Sequence, residues 1–395
     1  MANENEATDR ENNPATEAEV EVVNELKNEE EAIIEDTNVS DPEPDESSAP
    51  ARYNISSYGW DSDVEGLVKR LGRGDIFVPG FQRGFVWRSQ DKSSFIESLI
   101  LGLPVPNIFL AQDSKTKSLN IVDGQQRLRT LESYLKGEFY LTGKKIQPEL
   151  RGCYFSTEVA KSKSSKVLDT VDARTLADSV IHSIVIKPDS THDDPELGHE
   201  YNQAIIQIFK RLNTSGKPLN DQEIRTSIFY GPLDNAIREL NEDENWRILF
   251  GNRHSRLKDM ELILRFIALR KAGDTYKSPM GTFLTGFMED HRYMPEADLT
   301  EIKNAFPAVT KAIVEIFGRD IIRSGSTLIV SKFDAITVGI DAFIKSGREL
   351  SDVELNRRLA ELEANEKYQR SIDEFVNDTD RVTDRIELAK SIFGA

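Results

Sequence analysis

Hydrophobic residues between positions 53 and 230 switch repeatedly between helical spacing and short extended runs. In residues 64–71 the apolar positions recur every three or four residues, which predicts a helix that Asp63 caps and Gly72 ends. Further helices are predicted from Ser89, from about Gln125 and across 201–212, and strands at 76–78, 107–111, 118–122 and 180–186. Because only the polar residues 113–116 separate the middle two strands, these strands are predicted to form a hairpin.

Beyond residue 230 the chain shows almost only helical periodicity. It is clearest in residues 260–269, 283–288, 302–316 and 353–362. Strands and helices alternate first and helices follow alone, which predicts an α+β fold with an all-helical C-terminal part. The predicted domains cover residues 52–230 and 231–395.

The first 51 residues differ from the rest in composition. Residues 1–50 contain 17 Asp and Glu but only Arg10 and Lys27, a net charge of −15, and few large apolar side chains. Such a segment cannot bury enough surface to offset the entropy of ordering, so it is predicted to be a disordered acidic tail. Two clusters of Val, Leu and Ile at 20–26 and 33–34 leave a short partner-binding helix as an alternative to a solubilising tail.

Several functional classes are excluded by simple counts. The chain has one cysteine, Cys153, so an internal disulfide or a multi-cysteine zinc site is impossible, and a reducing compartment is indicated. No apolar run approaches the roughly 18–20 residues of a membrane span, and the polar N-terminus does not resemble a signal peptide. A cytoplasmic location is therefore expected. The glycines of 137–144 have the wrong spacing for a P-loop, and neither a metal-binding histidine pair nor a Gly-x-Ser-x-Gly motif occurs.

The charge balance outside the tail leaves the ligand class open. Subtracting residues 1–50 from the whole chain leaves 51 acidic and 48 basic residues, a net charge of −3. A nearly neutral globular part does not exclude an anionic ligand, and it lacks the strongly basic balance of a dedicated nucleic-acid binder.

The segment 119–129 carries the candidate chemistry. A predicted strand ends at Asp123, Gly124 can form the tight turn, and a predicted helix begins with Gln125, Gln126 and Arg127. The free N–H groups and the positive dipole end of a helix start suit an anion such as phosphate, to which the two amides and the guanidinium add donors. Asp123 can hold a magnesium ion or orient a water molecule. A capped surface helix without a ligand is the alternative.

Two further polar segments are candidates for the same site. Gln82 and Arg83 lie among aromatic residues just before a predicted helix, and Arg211 and Asn213 lie in the polar connection between two predicted helices. Each segment also fits a purely structural role, since aromatic residues pack in cores and the connection ends in a capping-box pair, Asn220 and Glu223.

Together these segments resemble a known family. The sequences P-G-F-Q-R-G-F-V-W at 79–87, V-D-G-Q-Q-R at 122–127 and F-K-R-L-N-T-S-G-K-P-L at 209–219 are similar to the N-terminal domains of GmrSD-type restriction endonucleases, which are modification-dependent enzymes of phage defence. The similarity covers roughly residues 58–230 and three motifs in the same order.

The resemblance implies a ParB/sulfiredoxin-like fold in which residues 123–127 bind and hydrolyse a nucleoside triphosphate. Together with the chemistry of these residues it leads to the hypothesis of a Mg²⁺-dependent nucleoside triphosphatase in which Asp123, Gln125 and Arg127 are catalytic and Asp123 is also the metal ligand. The nucleotide-binding residues that it implies are Gln82, Arg83, Gly124, Gln126, Arg211 and Asn213.

The sequence departs from the family pattern in two places. Gly84 stands where many relatives have proline, and no HNH nuclease motif follows: His291 and Pro295 have the wrong spacing. Cleavage of DNA by this chain alone is therefore not expected. A regulatory or sensing component that acts with a separate nuclease subunit is predicted.

A non-catalytic ParB-like module that binds DNA is the second hypothesis. Its phosphate contacts would come from basic clusters at 144–145, 161–166 and 247–258. Such charges are also common in solvated loops between helices, and this interpretation stays open at the level of sequence.

Overall fold

The architecture is taken from a computed structural model. It describes residues 53–78, 87–113, 116–162, 164–188, 195–212, 219–348, 351–373 and 375–394, without the side chains of 195–197. The predicted disorder of residues 1–51, with its alternative of a short helix, lies outside the described residues. Among the residues that are described, no helix combines the length and the apolar character that crossing a bilayer requires.

A mixed five-stranded sheet forms the centre of the N-terminal part. Its strands are β1 (Ile55–Asp63), β2 (Ile76–Phe77), β3 (Ile108–Gln112), β4 (Leu119–Asp123) and β5 (Val180–Pro188), in the spatial order β1-β5-β3-β4-β2. β3 and β4 are antiparallel, which confirms the predicted hairpin, and β2 runs parallel to β4. The sequence pattern missed β1, because Ile55, Tyr58 and Trp60 are its only large apolar or aromatic residues and the rest of the run ISSYGWDSD is polar or glycine.

Helices cover both faces of the sheet. They are α1 (Val64–Arg73), α2 (Ser89–Ile100), α3 (Gln125–Leu135), α4 (Thr170–Asp178), α5 (Pro195–Leu212) and α6 (Asp221–Ile228). The first four share a hydrophobic core with one face of the sheet, and α5 and α6 pack on β4 from the other. The helix α1 was expected to end at Gly72, but it continues to Arg73 and ends at Gly74, whose φ of 80° is left-handed.

The C-terminal part is helical, as predicted. Its helices are α7 (Pro232–Leu240), α8 (Glu244–Phe250), α9 (Lys258–Ala272), α10 (Met280–Asp290), α11 (Glu296–Ala312), α12 (Val330–Lys345), α13 (Asp352–Glu363), α14 (Glu366–Asp373) and α15 (Thr379–Gly394). Two short strands, β6 (Arg323–Ser324) and β7 (Thr327–Leu328), pair before α12. The α+β fold class with a helical C-terminal part is thus confirmed.

One hydrophobic core joins the sheet to these helices. It contains Ala111 and Val122 of the hairpin, Phe209 of α5 and Phe393 of α15. The core therefore continues across residue 230, where the sequence predicts a domain boundary.

A buried ion triad ties three of the C-terminal helices together. Asp334 of α12 is fully buried and accepts hydrogen bonds from Arg265 of α9, at 3.0 and 2.5 Å, and from Arg385 of α15, at 2.8 Å. Burial acts to raise the pKa of Asp334, but the two guanidinium groups outweigh it and lower the pKa below its ordinary value. The carboxylate is therefore ionised and bound on both sides.

Candidate functional site

The candidate site is built around the turn from β4 into α3. Asp123 is the last residue of β4, and Gly124 turns the chain with φ 101° and ψ 11° before α3 begins at Gln125. A Cβ atom at position 124 would lie 2.9 Å from Cγ1 of Ile108, a core residue of β3. Glycine is thus required by both the backbone angle and the close approach of β3.

The first turn of α3 presents N–H groups without acceptors in the helix. The first amide that bonds within the helix is that of Leu128, which donates to the carbonyl of Gly124 at 3.0 Å. No side chain caps α3, and its first turn contains no acidic residue. The amides of residues 126 and 127 therefore lie at the positive end of the helix dipole without a carbonyl acceptor in the helix.

Arg127 braces this turn instead of pointing into solvent. Its Nη1 atom donates to the carbonyl oxygens of Pro106 and Asn107, at 2.7 and 2.9 Å, and its Nη2 atom lies 2.5 Å from Oδ2 of Asp123. Only 12% of the side chain is exposed. The guanidinium thus fixes the end of β4 against the start of β3, which makes Arg127 a positioning group for Asp123.

The two glutamines of the first turn are both largely withdrawn from solvent, and one of them has an unsatisfied side-chain oxygen. Gln125 is buried, with 8% exposure. The side-chain Oε1 of Gln126 is buried as well, and among the described residues it has no hydrogen-bond partner. A buried amide oxygen without a donor costs stability unless another group supplies one. This orphaned atom sits at the helix start where an anionic ligand is predicted.

The carboxylate of Asp123 is only partly accessible as a metal ligand. Its Oδ2 atom is engaged by Arg127, and about a third of its side chain is exposed. Within the described part of the chain, no three His, Cys, Asp or Glu side chains come together as a metal site. An ion here would rely on one carboxylate, as Mg²⁺ does when the phosphates of a substrate supply further oxygens.

The other predicted site residues are only partly described. Gln82, Arg83 and Asn213 lie outside the described residues, so their positions remain predictions. β2 runs parallel to β4, so the C-terminal end of β2 and Asp123 at the C-terminal end of β4 lie on the same side of the sheet. Arg211 is exposed in the last turn of α5, and both α5 and α6 contact β4.

Acidic partners neutralise one predicted DNA-binding cluster. Each basic residue of the cluster at 247–258 pairs with a carboxylate: Arg247 with Asp259, Arg253 with Glu242, Arg256 with Glu223 and Lys258 with Glu261. These four cationic side chains therefore form ion pairs within the fold. The structure therefore favours the structural interpretation of this cluster over a role in phosphate contacts.

Sequence reasoning missed the residues that attach the hairpin to the helical part. Asp113, at the end of β3, lies 2.5 Å from Arg292, which also donates to the carbonyl of Tyr230 at 2.7 Å. The ring of Tyr230 stacks on Phe77 of β2 at 3.8 Å. Asp113 and Arg292 are 179 residues apart and no motif links them, so the sequence contains no signal for this contact. Through it, the strands that flank the site are tied to the C-terminal helices.

Comparison with known proteins gives one match, to the N-terminal part of the chain. Residues 64–230 match the family model described as the GmrSD restriction endonuclease, N-terminal domain. No curated protein and no solved structure matches the chain. The matched segment begins with α1, contains the turn at 123–127 and ends at Tyr230, and it indicates a component of a restriction system. Residues 64–230 of this chain therefore belong to the family of GmrSD restriction endonuclease N-terminal domains.

Proposed function

We propose that the first turn of α3 binds the phosphates of a nucleoside triphosphate together with Mg²⁺, and that the protein hydrolyses this nucleotide. In this role the chain is a regulatory or sensing component of a restriction system for phage defence, located in the cytoplasm and working with a separate nuclease subunit. The ParB-like character of the N-terminal domain is part of the same proposal.

The observation that carries the proposal is the buried Oε1 of Gln126, which has no partner among the described residues and lies at a helix start without a cap. Asp63, Asp169 and Asn220 cap α1, α4 and α6, whereas α3, like α7 and α9 to α13, has no side-chain cap. α3 also has no acid in its first turn. A phosphate group would satisfy the amides of residues 126 and 127 and meet the positive end of the dipole.

Each residue of the turn has a distinct role in the proposal. The amides of residues 126 and 127 hold phosphate oxygens, and the orphaned Oε1 of Gln126 accepts a donor from the nucleotide or from an ordered water molecule. The exposed part of Asp123 faces the metal ion, whose charge would stabilise negative charge that develops on the transferred phosphoryl group. Arg127 keeps Asp123 in place, and Gln125 orients the attacking water.

Replacing Gln126 with alanine is expected to weaken nucleotide binding by about 10-fold or more. The reason is that a hydrogen bond to a charged or buried polar group contributes roughly 1.5–3 kcal/mol. The measurement is titration calorimetry of the full chain with each of the four ribonucleoside triphosphates in the presence of Mg²⁺, followed by an assay of phosphate release.

Gln90 supplies a matched control for this variant. It is also the second residue of a helix, α2, but it is exposed, and the first turn of α2 contains Asp91, whose carboxylate accepts a hydrogen bond from the N–H of Arg88. Gln90→Ala should leave binding unchanged. If the two variants bind nucleotide equally, the site is misassigned. If the wild type binds but releases no phosphate, the hydrolytic part of the proposal is wrong and the binding part is retained.

A further inference from the structure

The connection between α3 and α4 carries an excess of positive charge, although the carboxylate of Glu97 accepts a hydrogen bond from the N–H of Gln147 in it. Residues 139–168 contain six Lys and Arg but only two Asp and Glu. The side chains of Lys144, Lys145, Arg151 and Lys166 are exposed. Over the described residues, no carboxylate lies within ion-pairing distance of these four cations, in contrast to the cluster at 247–258. We refer to these four residues as the basic surface.

Main-chain contacts bring the members of the basic surface together. The guanidinium of Arg151 donates to the carbonyl oxygens of Lys144 and Ile146, both at 2.7 Å. The ammonium of Lys166 donates to the carbonyl oxygens of Arg151, at 2.9 Å, and Pro148, at 3.3 Å. Carbonyl dipoles fix the positions of these cations but leave their net charge in place. Two stretches that are separate in sequence thus form one preorganised cationic surface.

The most complementary partner on the same chain is its N-terminal segment. Residues 1–50 carry 17 acidic and two basic residues, and they are joined directly to the folded part at Tyr53. Fifty residues of chain can span at most roughly 170 Å, whereas a folded chain of this size has a radius of gyration of about 20 Å. The segment can therefore reach any surface, and covalent attachment gives it an effective concentration in roughly the millimolar range.

A nucleic acid is the less favoured occupant of the basic surface. The globular part carries 51 acidic and 48 basic residues, and the cluster at 247–258 is neutralised by its own acids. Four cations on an otherwise balanced surface do not provide the extended positive face that a duplex requires. They do suffice to hold a few carboxylates of a tethered segment.

We propose that the acidic residues 1–50 of this chain dock on the basic surface formed by Lys144, Lys145, Arg151 and Lys166. The contact is electrostatic and intramolecular. It shields the basic surface, so any other polyanion has to displace the segment before it can bind there.

Carbodiimide cross-linking of the full chain with mass-spectrometric mapping tests this proposal, because it joins only lysines and carboxylates in direct contact. Cross-links from acids of residues 1–50 should favour Lys144, Lys145 and Lys166 over Lys187 by about fivefold, and should disappear near 0.5 M salt, where the screening length is only a few ångströms. Lys187 is the stringent reference, since it is exposed and lies opposite Ser56, close to where the segment joins the fold. Cross-links that concentrate on Lys187 or spread evenly would overturn the proposal.

A charge-reversal variant adds an independent readout. The double change Lys144→Glu and Lys145→Glu should reduce the cross-links at the unaltered Lys166 by about fivefold, because like charges then repel the segment. The control Lys277→Glu reverses an exposed lysine elsewhere and should change nothing. Unchanged cross-links at Lys166 in the double variant would contradict docking. If the segment shows no cross-links and the double variant instead loses binding of a single-stranded oligonucleotide, the basic surface is a nucleic-acid site and the proposal is wrong.

Discussion

Replacing Gly124 with alanine is expected to destabilise the protein by about 2–4 kcal/mol and to weaken nucleotide binding by at least about tenfold. The left-handed backbone costs a residue with a Cβ roughly 1–2 kcal/mol. The added methyl group would also lie 2.9 Å from Cγ1 of Ile108, which is buried in the core and cannot move freely. Relief of this clash has to shift the first turn of α3 away from β3. Chemical denaturation measures the first effect and calorimetric titration with nucleotide the second.

Gly72→Ala is the matched control for this change. Gly72 lies within α1, a Cβ there meets nothing within 4 Å, and its φ is not in the left-handed region. Alanine is the better helix former, so this variant should be as stable as the wild type or more stable by about 0.5–1 kcal/mol. If Gly124→Ala were as stable as Gly72→Ala and bound nucleotide normally, the steric account of the turn would fail.

Replacing Asp334 with alanine is expected to lower the free energy of unfolding by about 3–5 kcal/mol. The change leaves the guanidinium groups of Arg265 and Arg385 buried without the carboxylate that binds both of them, and breaking a buried ion pair in this way costs about that much. The backbone carbonyls that also accept from Arg385, those of Ser371 and Val376, do not supply a counter-charge. Urea denaturation followed by circular dichroism measures the effect.

Lys69→Ala serves as the reference for an ion pair in solvent. Lys69 and Glu65 lie 2.7 Å apart on α1, and both side chains are more than half exposed. Solvent screens such a pair, so its removal should cause a far smaller loss than Asp334→Ala. Similar losses in the two variants would show that burial does not govern the energetics of the triad.

Much of the fold was predictable from the sequence because its elements have distinct periodicity. The hairpin of β3 and β4, the long helix α5 and the helical C-terminal part all follow from the spacing of apolar residues. β1 was not predictable, since it is an edge strand of mostly polar residues whose place depends on pairing with β5, more than a hundred residues away. Tertiary pairing decided its structure, and local pattern did not.

The candidate site was likewise predictable from the sequence only in part. The sequence predicted that Gly124 makes the turn and that α3 starts directly after it, because glycine and the residues around it have strong local preferences. The role of Ile108 as the steric limit could not be predicted, since it depends on how β3 and α3 meet. The sequence also suggested direct phosphate contact for Arg127, whereas the structure engages this residue with Asp123 and two backbone carbonyls. Such partners become visible only when the chain is folded.

Hydrogen exchange at the first turn of α3 tests the central claim most directly. The amides of residues 126 and 127 have no acceptor in the helix, so in the free protein they should exchange rapidly. The measurement is exchange mass spectrometry on peptides that cover residues 122–129, with and without a nucleoside triphosphate and Mg²⁺. We expect the nucleotide to slow exchange in these peptides and to leave the start of α1, which Asp63 caps, unchanged. Protection that appears elsewhere in the chain, with none at residues 126 and 127, would contradict the phosphate site.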